Sequence, residues 1–424
     1  MISSQLEYKI YRSTLSNKIV LLVTANPNCN IVATKIFVRA GSSYESRDKA
    51  GLTHLLSEVI TKGCEGLSSF NIAEQVESLG ASLRTHAHSD YFLLSLKNIT
   101  SDFPEILYLA GKILRSPTFA KSEVELEKRL ILENIRSQKE QPFNIALDQL
   151  RKVMYCHHPY GLSILGEDVS VKNLKNTDLF YFHQQYFRPD NIVISISGQI
   201  DPHHAKTVIE EVFGDWQIPN TELSTALNLS KISVFPQQVI TPQDTHQSII
   251  MLGYLGASVY SPDYAALKIL STYLGNGISS RLFVELREKQ GLAYEVSAFY
   301  PTRMFPASFI VYMGTAPENT EKALSRMQKE VELLSRNGLS IASLQTSKNK
   351  ILGQYALGKQ TNAQIAQVYG WYEIMGLGID FDQLFQEVIL RVSIEDTIKI
   401  ARKYLQNAYI SLVGQKTTAE NILK

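Results

Sequence analysis

One stretch of this 424-residue chain occurs twice, and the duplication limits the folds that the chain can adopt. Residues 41–55 align with residues 256–270, and seven of the fifteen aligned positions are identical. The identical pairs are Gly41/Gly256, Ser43/Ser258, Ser46/Ser261, Asp48/Asp263, Ala50/Ala265, Leu52/Leu267 and Leu55/Leu270. A second similarity lies near the end of each copy, in residues 186–199 and 404–415. Because self-similarity at a fixed offset indicates repeated structural units, the chain is predicted to contain two copies of one fold.

Each copy alternates strand and helix patterns in the same order. In the first copy, a β-branched run at 30–38 precedes apolar residues at helical spacing from Leu52 to Ile60, and then come a helix at 69–79, a hairpin at 81–96 and a long helix at 121–139. Hairpins among helices indicate a mixed, mostly antiparallel sheet with helices packed on it. We therefore predict an α+β fold made of two homologous α/β-sandwich halves.

The second copy predicts a strand at 248–253, helices at 263–273 and 280–289, and hairpin strands at 293–299 and 307–313. Pro219, Pro236 and Pro242 lie between the copies in a stretch without helical periodicity, which is typical of a connection. We predict an N-terminal domain at 1–215, a linker at 216–234 and a C-terminal domain at 235–424.

Composition excludes several classes of protein. Lys plus Arg (42) balances Asp plus Glu (41), so a nucleic-acid partner held by net charge is not expected. The three cysteines lack C-x-x-C spacing, which indicates neither a disulfide framework nor a thiolate metal site. The apolar runs are shorter than the roughly 20 residues that span a bilayer, and residues 1–9 lack the pattern of a targeting segment. A cytoplasmic location without a membrane span is expected.

Four motifs together resemble those of a known family. They are residues 37–45 (FVRAGSSYE), the helix with Gly51-Leu52-Thr53-His54, the turn His158-Pro159-Tyr160-Gly161, and the run from Leu274 to Tyr294. The chain resembles the insulinase and pitrilysin family of inverted-motif zinc peptidases over nearly its whole length, and specifically the shorter branch that includes mitochondrial processing peptidase.

The resemblance implies a metal site that this chain has lost. Where the family has His-x-x-Glu-His, this chain has His54, then Ser57 in place of the general base and Glu58 in place of the second histidine. The family's third ligand falls on Asn134, while its supporting glutamate is kept as Glu127. Because a catalytic zinc site needs three protein ligands and an open position, we expect no metal and no other cofactor in this chain.

A non-standard site of His54, Glu58 and Glu133 is the alternative. Glu133 and Asn134 project about 100° apart on a helix, so only one of them can face such a site. A partly buried helix histidine is the simpler interpretation of His54.

The resemblance assigns the remaining catalytic role to Arg287 and Tyr294. In the family this pair hydrogen-bonds the scissile carbonyl and stabilises the oxyanion of the tetrahedral intermediate. A helix ending near Gly291 and a strand beginning at Tyr294 can bring the two side chains to one corner. The alternative is a structural arginine paired with Glu285 or Glu288, together with a core tyrosine.

Two further motifs are weaker. His86 and His88 are two apart on a predicted strand and could share a face, but two exposed strand histidines are the simpler interpretation. The segment Leu274–Ser280 contains two glycines and lacks the spacing of a phosphate-binding loop. In the family this loop lies near the opening of the substrate chamber.

Three functions follow from the resemblance. The first is the non-metal subunit of a heterodimeric zinc peptidase, in which a homologous partner carrying His-x-x-Glu-His binds zinc and the substrate is an unfolded peptide. The second is a structural subunit, like the core proteins of the respiratory cytochrome bc complex. The third is a free-standing peptide-binding pseudopeptidase. Retention of Arg287 and Tyr294 favours the first.

Overall fold

The computed structural model describes residues 9–223, 232 and 234–415. Residues 1–8, and residues 224–231 and 233 of the predicted linker, lie outside the described residues. The described chain forms two compact units. The first unit comprises the described parts of Met1–Glu133, Ser163–Asn228 and Ala356–Phe381, and the second comprises those of Asn134–Leu162, Leu229–Tyr355 and Asp382–Lys424.

The first copy of the repeat contains eight strands and eight α-helices within its described residues. The strands are β1 (Ile10–Thr14), β2 (Val20–Ala25), β3 (Ile31–Val38), β4 (Gly63–Cys64), β5 (Leu67–Ser68), β6 (Ser82–Ala87), β7 (Phe92–Ile99) and β8 (Ile192–Gly198). The helices are α1 (Leu52–Val59), α2 (Ser69–Ser78), α3 (Phe103–Arg115), α4 (Lys121–Gln138), α5 (Pro142–Tyr155), α6 (Asp168–Asn173), α7 (Asn176–Tyr186) and α8 (Pro202–Phe213). The predicted strand, helices and hairpin of this copy are confirmed.

The second copy repeats this order, with a π-helix at Phe283–Glu288. Its strands are β9 (Gln238–Pro242), β10 (Ser248–Leu255), β11 (Glu295–Phe299), β12 (Ser308–Thr315) and β13 (Tyr409–Gly414). Its helices are α9 (Tyr264–Gly275), α10 (Thr320–Asn337), α11 (Ile341–Leu357), α12 (Asn362–Ile374), α13 (Phe381–Arg391) and α14 (Ile394–Tyr404). The strands and helices predicted here are confirmed as well.

The main sheets of the two units have the same topology. The first has the order β1-β2-β8-β3-β7-β6 and the second has the order β9-β13-β10-β12-β11, so β1 is the one described strand of the first main sheet without a counterpart in the second. In each sheet one pair of strands is parallel, β2 with β8 and β9 with β13, and the others are antiparallel. The predicted α+β fold of two duplicated halves with mixed, mostly antiparallel sheets is confirmed.

The compact units nevertheless differ from the continuous domains 1–215 and 235–424 that we predicted. Helix α5 belongs to the second unit, where Ala146, Leu150 and Met154 are buried against residues of β10 and β13. Helix α12 belongs to the first unit and packs on β3 and β8. Each copy therefore contributes one helix to the unit that contains the sheet of the other copy.

Glycine allows close packing at both of these helix–sheet contacts. A Cβ at Gly370 of α12 would lie 2.3 Å from the Phe37 ring, and a Cβ at Gly253 of β10 would lie 2.5 Å from the sulfur of Met154. The glycine is on the helix in one unit and on the strand in the other. No helix in the described part of the chain is both long and apolar enough to cross a membrane.

Candidate functional site

The side chain of a buried glutamate, Glu45, binds the first turn of helix α1. The Glu45 carboxylate accepts the backbone N–H groups of Gly51 and Thr53 at 2.9 and 2.5 Å. Because the first N–H groups of a helix have no intrahelical acceptor, this carboxylate satisfies donors that would otherwise be unpaired. Burial raises the pKa of Glu45 to about 7, although its hydrogen bonds with Thr53 and Gly51 act in the opposite direction.

The three positions of the degenerate metal motif lie along α1. Ser57 is buried, and its hydroxyl donates to the backbone carbonyl of His54 at 2.7 Å. His54 has 19% of its side chain exposed, and its Nδ1 lies 4.0 Å from Glu58 Oε1. The Ser57 hydroxyl is thus used within the helix, and an unionised hydroxyl is a poor replacement for a carboxylate base.

An ion pair between a half-buried lysine and a buried glutamate lies beside these positions. Lys62 Nζ is 3.0 Å from Glu127 Oε1, and Glu127 is buried. Burial lowers the pKa of His54, and the negative charge of Glu127 partly opposes that effect. Burial also raises the pKa of Glu58, and Glu127 adds to the rise while Lys62 lowers it. At neutral pH these shifts favour an uncharged His54.

The predicted position of the third ligand offers no carboxylate. Asn134 and its neighbour Glu133 are both exposed on α4. Among the residues that the structure describes, no group of three or more His, Cys, Asp or Glu side chains is arranged to hold a metal ion.

Arg287 projects from the π-helix. The N–H of Lys289 bonds to the carbonyl of Val284, five residues back, at 3.0 Å. Arg287 is exposed, and its guanidinium carbon lies 4.9 Å from the centre of the Phe283 ring. Short π-helical segments are rare and occur often at functional sites.

The structural role considered for Arg287 belongs to a different arginine. Glu285 is bound by Arg281 at 3.0 Å and by Lys289 at 2.8 Å. Arg281 also contacts the buried carboxylate of Glu330 at 2.7 Å. Within residues 9–223, 232 and 234–415, Arg287 has no carboxylate partner.

Tyr294 follows the π-helix after a tight turn. Gly291 has a φ of +60°, and its N–H bonds to the carbonyl of Arg287 at 3.1 Å. The N–H of Leu292 bonds to Leu286 at 2.9 Å, and the N–H of Tyr294 joins the second sheet at the carbonyl of Gly314, at 2.9 Å. The Tyr294 side chain is 61% exposed, and no described residue hydrogen-bonds its hydroxyl.

Arg287 and Tyr294 therefore project from one short corner, and neither side chain is used by the fold for a hydrogen bond or an ion pair with a described residue. This geometry is compatible with a pair of hydrogen-bond donors. Their assignment as catalytic residues stays a prediction.

The interpretation of His86 and His88 as two exposed strand histidines is wrong for His88. His86 is exposed on β6, but β6 ends at Ala87. His88 is partly buried in the following turn, where its ring stacks on Tyr91 with 4.5 Å between centroids. The turn removes His88 from the strand, so the two imidazoles do not share a strand face.

The loop after α9 is attached to α11. The Lys350 ammonium donates to the carbonyl of Asn276, and the Asn276 side chain donates to Gln354 at 2.9 Å. Gly277 has a φ of +83°, and Ile278 is 76% exposed. The loop presents an apolar side chain to solvent on a backbone that α11 holds in place.

Two family models match this chain. The model described as "Insulinase (Peptidase family M16)" matches residues 20–168, and the model described as "Peptidase M16 inactive domain" matches residues 173–351. The chain belongs to the M16 family of peptidases. An M16 relative in Bacillus subtilis, named an uncharacterized zinc protease, YmxG, is 26% identical over 401 residues, which are 94% of this chain and 97% of the relative.

Solved structures agree on the M16 fold. A protease from Helicobacter pylori superposes with a TM-score of 0.87 at 20% identity, covering 96% of this chain and 99% of the other. A peptidase M16 inactive domain from Pseudomonas fluorescens superposes with a TM-score of 0.86 at 23% identity, covering 96% and 98%.

The names of M16 relatives refer to zinc, but the residues of this chain that the structure describes do not fit that ion. A zinc site requires Cys, His or carboxylate ligands arranged around one point. In this M16 chain the second histidine is replaced by Glu58, the base by Ser57 and the third ligand by Asn134. Of the ligand set that the family resemblance implies, this chain therefore keeps His54 alone.

Proposed function

We propose that this chain is the non-metal-binding subunit of a heterodimeric zinc peptidase. Arg287 and Tyr294 would donate hydrogen bonds to the scissile carbonyl of an unfolded peptide. A homologous partner carrying His-x-x-Glu-His would bind zinc and activate water. The observation that carries this proposal is the corner at 287–294, where both donors are exposed and unused.

The chemistry of the two donors suits a developing negative charge. A guanidinium has five N–H groups and stays charged at any physiological pH, and a phenol adds a neutral O–H donor. Donors of an oxyanion hole are each worth about 3 kcal/mol of transition-state stabilisation. A chain that served only as a scaffold would have no chemical use for the pair.

The first sheet supports an extended peptide as the substrate. Strand β6 is an edge of that sheet and pairs with β7 alone among the described strands. The Thr85 hydroxyl on β6 donates to the carbonyl of Ser57 at 2.6 Å, which attaches the edge strand to α1. Peptides that add to a sheet edge are held by main-chain hydrogen bonds and must be unfolded.

Reconstitution with the metal-bearing partner tests this proposal. The chain alone should be inert, and the mixture should cleave an unfolded peptide. Tyr294→Phe removes one hydroxyl and keeps the ring, so it should lower kcat on the order of a hundredfold while dimerisation is unchanged. Ser57→Ala is the matched control and should leave the cleavage rate of the mixture near that of the wild type.

If the Tyr294→Phe variant mixed with the partner cleaves the peptide as fast as the wild-type mixture, the oxyanion role of Tyr294 is contradicted. The chain would then be better described as a structural or peptide-binding pseudopeptidase.

A further inference from the structure

Three cationic side chains lie in one region of the second unit, and the positive charge of one of them acts on the other two. They are Arg151 on α5, Lys268 on α9 and Arg303 in the connection between β11 and β12, and we call them the cation cluster. Lys268 Nζ donates to the carbonyl of Tyr300, three residues before Arg303, at 2.7 Å. The guanidinium carbon of Arg303 lies 5.7 Å from the centre of the Tyr160 ring.

The rings of this region connect Arg303 to the helix that carries Arg151. The Tyr160 ring centroid is 5.8 Å from that of Tyr155, which lies one turn after Arg151 on α5. The Tyr155 hydroxyl donates to the carbonyl of Pro306 at 3.0 Å. The loop that carries Arg303 thus packs against the end of α5.

Positive charge in the cation cluster is not fully compensated. Asp148 lies 3.7 Å from Arg151, but it is shared with Lys152 at 3.1 Å. Arg303 has neither a carboxylate partner nor a side-chain hydrogen bond among the described residues. Burial lowers the pKa of Lys268 to about 8, and the charge of Arg303 adds to that effect.

Burial also lowers the pKa of Arg151, and Arg303 again contributes. Asp263, five residues before Lys268 in the chain, is bound to Lys403 at 2.6 Å. Like charges in proximity are unfavourable, so the cluster favours an external anion.

Two buried donors in the same region have no partner among the residues that the structure describes. Arg151 Nε is buried and makes no hydrogen bond with a described residue. His158 is 6% exposed, and its Nδ1 accepts the N–H of Tyr160 at 3.1 Å, which leaves the proton of the neutral ring on Nε2. His158 Nε2 also has no described partner. A buried donor without an acceptor costs about 1–3 kcal/mol, so a ligand that accepts from these groups would be stabilised.

We propose that the cation cluster binds a carboxylate group of a peptide. The guanidinium of Arg303 presents a planar set of unused donors that matches a carboxylate in two parallel hydrogen bonds. Lys268 adds a second cation beside it. A single carboxylate would partly neutralise the positive charge that Asp148, which is shared between Arg151 and Lys152, leaves uncompensated.

The site is separate from the proposed catalytic corner. Tyr294 precedes β11 and Arg303 follows it, and the five residues of this strand span roughly 17 Å. The bound carboxylate would therefore belong to a residue remote from the scissile bond. This inference rests on the proposed function for the choice of a peptide as the ligand.

Binding to the isolated chain tests the inference without cleavage. The probe is a fluorescent, unstructured ten-residue peptide with a single Glu and an amidated terminus, and its twin has Gln at that position. Fluorescence anisotropy should show that the Glu peptide binds about tenfold more tightly, since hydrogen bonds between charged groups are stronger than neutral ones. Equal binding of the two peptides would overturn the proposal.

Variants of the cation cluster test whether these residues cause the preference for the Glu peptide. Arg303→Gln should abolish the preference for Glu, and Lys268→Met should reduce it severalfold. Arg336→Gln is the matched control, because Arg336 pairs with Glu332 on α10, and it should keep the preference. Arg303→Lys retains the charge and loses the planar fork, so it should weaken binding of the Glu peptide even if Arg303→Gln fails to fold.

A preference for Glu that persists in folded Arg303→Gln, or that is unchanged in folded Arg303→Lys, would overturn the proposal. Binding of inorganic phosphate without discrimination between the two peptides would also overturn it. Because this assay needs no partner and no turnover, its failure is distinguishable from failure of the reconstituted cleavage reaction.

Discussion

Helix α1 in the first unit and the corner at 287–294 in the second unit differ in how the fold uses their polar groups. In α1, the Ser57 hydroxyl is bonded to the helix backbone, and Glu45 is bonded to the first N–H groups. At the corner, Arg287 and Tyr294 are exposed and bonded to no described side chain. The difference indicates that α1 serves the fold, while the corner has kept groups that are available to a ligand.

The largest expected effects that test this comparison come from replacing each of two neighbouring arginines with alanine. Arg287→Ala should lower the kcat of the reconstituted peptidase a hundredfold or more and leave the melting temperature unchanged, since it removes the proposed oxyanion donor, which forms no ion pair with a described residue. Arg281→Ala should destabilise the chain by roughly 3 kcal/mol, because it leaves the buried Glu330 carboxylate unpaired. Kinetics and thermal unfolding of both variants would check this.

If Arg287→Ala proved as destabilising as Arg281→Ala, Arg287 would have a structural role in the fold.

A second prediction concerns the pH dependence contributed by Glu45 at the start of α1. Its pKa is raised to about 7 in the folded chain from 4.5, so the folded state holds this proton more tightly than the unfolded state does. The resulting stability is fully present below pH 4.5 and is lost as pH rises toward 7, by up to about 3 kcal/mol.

Glu45→Gln removes this titration. The difference in unfolding free energy between wild type and Glu45→Gln, measured by urea denaturation at several pH values, should change between pH 4.5 and 7 and be constant above. His54, His158 and His183 have lowered pKa values and contribute with the opposite sign, but they are present in both proteins. A difference that does not vary with pH would contradict the prediction.

A third prediction tests the packing of α9 against β11, the strand that follows the corner at 287–294. A Cβ at Gly275, the last residue of α9, would lie 1.7 Å from the backbone nitrogen of Ala298 in β11. Gly275→Ala should destabilise the chain by about 2–3 kcal/mol through overpacking. In the control, Gly353→Ala on α11, a Cβ meets nothing within 4 Å, and helix propensity should stabilise by up to about 1 kcal/mol.

Thermal unfolding distinguishes the two glycine variants by the sign of the shift. A Gly275→Ala protein as stable as the wild type would show that β11 is not held by this contact.

The smallest expected effect is that of a chelator. Elemental analysis after dialysis should find well under one zinc per chain, because Ser57, Glu58 and Asn134 do not reproduce the ligand set. Since a ligand that binds only the folded state raises its stability, EDTA should leave the melting temperature unchanged. One tightly held zinc per chain would show that α1 retains a metal site.

Much of the local structure could be predicted because hydrophobic periodicity is a local property. The spacing of Leu52, Leu55 and Leu56 predicted α1, and the turn near Ser89 and Asp90 predicted the hairpin of β6 and β7. The segment 280–289 was predicted as a helix, but its π-helical part was not predicted. A π-helix has almost one residue more per turn than an α-helix, and over six residues this difference does not change the apolar pattern.

The candidate site was only partly predictable. The sequence alone left Arg287 open to pairing with Glu285 or Glu288. Arg281, one turn before Glu285 and within reach of Glu330, was the missed signal, since residues four apart share a helix face. The ion pair of Lys62 with Glu127 was also not predicted, because the two residues are far apart in the chain. The cation cluster carries no sequence motif, because its members are widely separated in the chain.

By itself, the sequence determined the duplication, the order of strands and helices, and which residues stand at the motif positions 54, 57, 58 and 134, because repeats, periodicity and residue identity are all present in the chain. Only the tertiary structure decided which sheet α5 and α12 cover, which arginine binds Glu330, and that the charge of Arg303 acts on both Arg151 and Lys268. Those outcomes depend on packing between distant segments, and a helix's apolar stripe does not specify which sheet will bury it.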